Sequence, residues 1–225
     1  MHQGHGVLTE IYLGGNSAGR IRCDARLVPA PGQYLLAHAT HTPGSALATP
    51  IFSAGSCQGG FHAAHPLPDD WLPGTRLNLR GPLGKGFQIP PGARFVALVS
   101  FGTDPARLLA LTEPALAQGA ALVLLADRVP DGLPAAIEIS PLAALGETLR
   151  WADLVLVDTP RAMLPALLKP LSETPGAGEV RILVETPMPC GGVAECGVCA
   201  VRLRKGYKLA CKDGPVFELR TLLGE

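Results

Sequence analysis

Four of the six cysteines are grouped late in the chain, as Cys190-x5-Cys196-x2-Cys199-x11-Cys211, within PCGGVAECGVCAV and LACKDGPVF. Three thiolates so close in sequence, joined by a fourth from a downstream strand, can enclose a soft metal centre. Gly191, Gly192 and Gly197 let the backbone curl and aim its N–H groups toward negatively charged sulfur. That combination suits an iron–sulfur cluster, whose reduction adds charge that the amide dipoles must tolerate. A structural zinc site more often pairs two Cys-x2-Cys knuckles, and here there is one knuckle with two lone cysteines. Unliganded or disulfide-bonded thiols are a third reading.

Other chemistry-bearing residues are sparse. The histidines form three His-x2-His pairs: His2/His5, His38/His41 and His62/His65. A three-residue offset on a strand sends side chains to opposite faces, so each pair is a poor chelate. Cys23 and Cys57 read as small, partly buried thiols. Arg202, Arg204, Lys205, Lys208 and Lys212 surround the cysteine segment with positive charge, either as a solvated face or as a dock for an acidic electron partner. Pro187, Met188, Pro189 and Val193 would form an apolar collar that limits water near the sulfurs. No histidine follows position 65, so the C-terminal two-thirds lacks the commonest general base, and no nucleophile–base pair stands out.

The elements that must position the cysteines come in three kinds. From Val7 to about Pro90, short apolar runs read as strands: VLTEIYL (7–13), GRIRCDARL (19–27), GQYLLAHAT (32–40), ATPIFSA (48–54) and TRLNLRG (75–81). Turn signals punctuate them, among them Gly14-Gly15, Pro43-Gly44 and Gly59-Gly60, which suggests a small antiparallel barrel or sandwich. From Ala93, apolar strands (94–101, 121–127, 152–158, 180–185) alternate with helical stretches (106–118, 141–151, 160–171), implying a Rossmann-like parallel sheet. The cysteine loop and a few short strands follow. The expected parts are residues 1–91, an N-terminal antiparallel β-barrel; 92–185, a parallel α/β domain; and 186–225, a small β metal domain.

Composition excludes several classes. The chain has 225 residues, 47% hydrophobic, with 19 basic and 19 acidic side chains, so there is no electrostatic footprint for nucleic acid. No apolar run approaches the ~18 residues that span a bilayer, and clustered cysteines without a secretory signal point to metal ligation in the cytoplasm.

That order of parts, with these motifs, resembles the iron–sulfur electron-transfer subunit of class 1B dihydroorotate dehydrogenases, in the ferredoxin–NADP reductase superfamily. The cysteine loop and CKDGPVF carry the resemblance most specifically. GPLGKGF (81–87) resembles the hand-over from barrel to nucleotide domain, and DTPRAML (158–164) resembles a motif in which the family usually has Cys-Gly-Pro. The family usually places four residues between the first two cysteines, and this chain has five. The resemblance implies a [2Fe–2S] cluster on Cys190, Cys196, Cys199 and Cys211, FAD on the barrel and NAD on the α/β domain. It also implies a hetero-oligomer with a flavin-containing catalytic subunit in pyrimidine biosynthesis. For FAD, Thr49 stands where the family carries an arginine, removing a charge-assisted phosphate contact, while Ser53 could hydrogen-bond a flavin ring. For NAD, the turn Phe101-Gly102-Thr103-Asp104-Pro105 has one glycine, and Asp104 sets its own carboxylate at the helix start, so binding is expected to be weak or lost. A different class remains beside this one: a non-catalytic scaffold whose cysteines hold zinc or a cluster for stability alone.

Overall fold

The computed structural model describes residues 1–12, 18–40, 47–129, 132–174 and 178–224. His41 and the turns at Gly14-Gly15 and Pro43-Gly44 lie outside them. Six strands close an antiparallel barrel: β1 (His2–Ile11), β2 (Gly19–Cys23), β3 (Tyr34–Ala39), β4 (Thr49–Cys57), β5 (Gly60–Ala63) and β6 (Arg76–Leu83), in the order β1-β2-β5-β4-β3-β6. Alternation along each strand fills the inside with Leu8, Ile21, Leu35, Ile51, Phe61, Leu77 and Leu79. The out-facing partners on β3 and β4 are also apolar. Tyr34, Leu36 and Phe52 are buried in a second, larger core that continues into the rest of the chain. One wall of the barrel is therefore an internal surface.

The second part is a six-stranded sheet. In chain order its elements are β7 (Phe95–Ser100), α1 (Ala106–Leu109), α2 (Thr112–Ala117), β8 (Ala121–Ala126), β9 (Ile137–Ser140), α3 (Leu145–Trp151), β10 (Leu154–Pro160), α4 (Leu164–Glu173) and β11 (Glu179–Glu185). Strands β9-β8-β7-β10-β11 run parallel. Their central residues are almost continuously buried, as expected for a sheet covered on both faces. The single helix expected over 106–118 is instead two short ones. Pro114 has no N–H to offer the Ala110 carbonyl, so the chain breaks and restarts.

The third part holds β12 (Ala200–Arg202), β13 (Tyr207–Leu209), α5 (Ala210–Asp213), β14 (Val216–Glu218) and α6 (Leu219–Leu223). β12 and β13 form a hairpin, while β14 joins the large sheet antiparallel to β11. The cysteine segment is thereby stitched to the α/β sheet. No helix among the described residues is long and apolar enough to cross a membrane.

Candidate metal centre and interdomain groove

The four C-terminal cysteines come together in two pairs. Cys190 Sγ lies 3.6 Å from Cys196 Sγ, and Cys199 Sγ lies 3.2 Å from Cys211 Sγ. The first pair is at the surface, where Cys196 is exposed, and the second is buried. Spacing explains the split. Cys199 immediately precedes β12 and Cys211 sits in α5, and the Ala210 N–H bonds the Cys199 carbonyl, which registers one against the other. Cys190 and Cys196 ride on the turn between β11 and β12.

Their protonation follows their surroundings. Hydrogen bonding from the Ala194 backbone, aided by Gly192, holds the Cys190 thiol down to about 7. Burial, with Cys199 alongside, pushes Cys211 up to about 12. The remaining two cysteines, Cys23 and Cys57, are half-buried thiols in the barrel, and burial raises Cys23 to about 11.

The loop is anchored from both large parts. Arg80 on β6 donates to the Cys190 carbonyl (2.9 Å), and Arg161, just past β10, donates to the carbonyls of Val198 (2.8 Å) and Ala200 (2.9 Å). Gly191, at φ +53°, is required by contact as well as conformation, since a Cβ there would collide with Leu36 and the Arg80 guanidinium. The expected apolar collar divides. Met188 is packed in the main core, whereas Val193 is 69% exposed beside the outer cysteine pair. Of the surrounding cations, Lys212 pairs with Glu195 (3.1 Å) and Lys208 with Asp213 (3.8 Å), both at the surface.

Among the described residues, no three histidine, cysteine or acidic side chains converge on one point as a mononuclear ion would require. His5 lines a hollow with Arg80, Cys190 and Val193, while His62 packs by Tyr12 and His65 faces a separate groove. His62 and His65 are thus split between sites. The two close sulfur pairs are a soft donor set.

A second site lies where the carboxyl ends of the parallel strands meet the barrel. The strand order reverses direction between β7 and β10, and such a switch point is the usual ligand crevice in open α/β sheets. Here it is filled from within. Arg107 of α1 is 3% exposed and donates to Asp158 at the end of β10 (2.7 Å) and to Glu185 at the end of β11 (2.8 Å). The same guanidinium reaches Thr103 Oγ1 (3.0 Å) and lies 5.4 Å from the Phe52 ring centre on the barrel. Burial works against both charges. Even so, Asp158 and Glu185 hold Arg107 protonated, and the Asp158 carboxyl, raised to about 6 by burial, still ionises at neutral pH.

Asp104 Oδ1 accepts from the Ala106 N–H (2.9 Å), so its carboxylate occupies the amide end of α1 where a phosphate would have to sit. Arg107 escaped the sequence reading. A lone cation opening an apolar helix, three residues after Asp104, was the available signal.

Outside this network remains a groove of about 560 Å³, lined by Phe52, His65, Arg107, Arg161 and Thr186 among others. That size is typical of small-molecule sites. Thr186 Oγ1 is buried there without a hydrogen-bond partner. Ser53, expected to reach a flavin ring, is turned away from it. It pairs with Ala63 on the barrel-interior side, and its Oγ accepts from the Gly55 N–H (3.1 Å). The pleat gives the groove-facing position to Phe52 instead.

Comparison with known proteins places these features. A family model described as the iron–sulfur cluster binding domain of dihydroorotate dehydrogenase B matches residues 185–223. The dihydroorotate dehydrogenase B (NAD(+)) electron transfer subunit of Clostridium perfringens is 28% identical over 168 residues, covering 65% of this chain and 66% of that one. The probable counterpart from Thermococcus kodakarensis is 33% identical over 171 residues, covering 67% and 69%. The matched stretches thus span about two thirds of these relatives' length.

Among solved structures, an NADH-dependent reduced ferredoxin–NADP oxidoreductase superposes with a TM-score of 0.74 at 19% identity, over 98% of this chain and 91% of that one. A ferredoxin reductase of carbazole 1,9a-dioxygenase gives 0.64 at 19% identity, over 77% and 66%. The barrel and α/β sheet share the fold of these reductases. The chain belongs to the family of dihydroorotate dehydrogenase B electron transfer subunits.

Proposed function

We propose that this chain binds a [2Fe–2S] cluster through Cys190, Cys196, Cys199 and Cys211 and relays electrons to or from a flavin-containing catalytic subunit of the dihydroorotate dehydrogenase kind. The observation that carries the reading is the approach of the four sulfurs two by two, one pair buried and one at the surface. When bound, such a cluster supplies acceptance and release of single electrons. The chain's own residues provide the rest: Arg80 and Arg161 fix the loop, and the surface pair with Val193 presents one side of the centre to a partner. Parts with boundaries near residues 91 and 185 divide the work. The reading places the chain in a hetero-oligomer, in the cytoplasm and in pyrimidine synthesis.

A flavin ring is the natural occupant of the interdomain groove, where Phe52 and the Thr186 hydroxyl would face it. Thr49 leaves the diphosphate without a cation on β4, and a lost ionic contact costs about 1.5–3 kcal/mol, so flavin is held loosely. NAD has no comparable seat, because the switch point is filled by Arg107 and the amide end of α1 by Asp104. Titration of the purified chain with NADH is expected to show no saturation in the micromolar range, and micromolar affinity would overturn this part.

One visible spectrum tests the whole reading. Anaerobically purified protein should be brown, bleach with dithionite, and carry two iron and two sulfide per chain. It should release less than one flavin on heating. Colourless protein with one zinc would leave a scaffold.

A further inference from the structure

Among the described residues Tyr34 is the largest fully buried side chain, and its hydroxyl has no hydrogen-bond partner. A buried hydroxyl left unsatisfied costs about 1–3 kcal/mol, so its position calls for a reason. The ring stands on the out-facing row of the barrel wall, level with Phe52 on β4 and two residues before Leu36, which supports Gly191. It lies against Gly84 and in the same core as Cys199 and Cys211. Apart from burial, the charges it feels most are Cys211 and Cys199, then Arg80 and Cys190. The hydroxyl is thus enclosed in the core that holds the buried cysteine pair, its ring and the Gly214 carbonyl, three residues past Cys211, meeting around Gly84, yet it bonds to none of the cysteine sulfurs.

We propose that the Tyr34 hydroxyl donates a hydrogen bond to a sulfur of the inorganic core, and so sets the reduction potential of the cluster. The inference rests on the cluster reading above and adds a specific donor to it. A donor to sulfur favours the reduced state, which carries one more negative charge, and so raises the potential. Phenylalanine keeps the ring and removes only the oxygen.

The test is a dye-mediated redox titration, followed by electron paramagnetic resonance, of the full chain and its Tyr34→Phe variant. The variant's potential should fall by about 59 mV, a tenfold change in the one-electron equilibrium. The metal-free variant should be no less stable than the metal-free parent, because the hydroxyl is unpaired without the cluster. An unchanged potential with an intact cluster spectrum would overturn the proposal, leaving Tyr34 a packing residue. Iron missing from the parent itself would instead sink the cluster reading.

If Tyr34→Phe takes up no iron, 3-fluorotyrosine incorporated into a Tyr12→Phe/Tyr207→Phe background gives the answer. Its more acidic hydroxyl should raise the potential, and no shift would again refute the donor.

Discussion

Cys199→Ser and Cys211→Ser should each lower iron from two per chain to none and cut electron transfer at least about 100-fold. Even changes outside the ligand set typically cost metal sites 10–100-fold. These two sulfurs form the buried pair, packed among apolar residues, where no water can replace a missing ligand. Cys196→Ser is expected to behave differently. Its position is exposed, so the serine oxygen or water can complete the outer iron, and a shifted, unstable cluster should survive. Iron and sulfide analysis with visible spectra on the three variants checks the order. Equal, complete loss in all three would contradict the two-pair geometry, and retention of iron in the buried variants would contradict ligation.

Arg107→Met should destabilise the fold by about 3–5 kcal/mol, because it strands the fully buried Asp158 carboxylate. At roughly 2–4 °C per kcal/mol for a chain of this size, the melting temperature should drop by about 10 °C. Adding Asp158→Leu should recover most of the loss. Apolar replacement of a buried pair is often neutral or favourable, and Glu185, about a third exposed, can turn to solvent. Calorimetry or chemical denaturation of the single and double variants measures the coupling. Additive losses would mean that the pair contributes nothing as a pair.

The elements and the site were legible to different degrees. Strands such as Val96–Val99 and Val155–Val157 announce themselves as continuous apolar runs, because a two-faced buried strand needs no partner information to be recognised. The closeness of Cys190 to Cys196 and of Cys199 to Cys211 fits the spacing, since the turn glycines and the knuckle constrain where sulfur can go. The interdomain surface was not. Arg107 bonds residues 51 and 78 positions away, which only tertiary closure brings within reach. Ser53 and Phe52 show a finer limit. One residue of register decides which of them faces the groove, and the pleat, fixed by cross-strand pairing with Tyr34 and Ala63, chose Phe52. Tyr34 reads as an ordinary strand residue until its enclosure and lone hydroxyl are seen together.

The two guanidinium groups that grip the cysteine loop come from different halves of the molecule, Arg80 from the barrel and Arg161 from the sheet. Any hinge bending between those halves would pull the strap in two directions at once. The redox centre therefore acts as a keystone: it stays put only while barrel and sheet hold still relative to each other. Swinging one lobe away from the other would have to break the Arg80 bond or the Arg161 bonds to this loop.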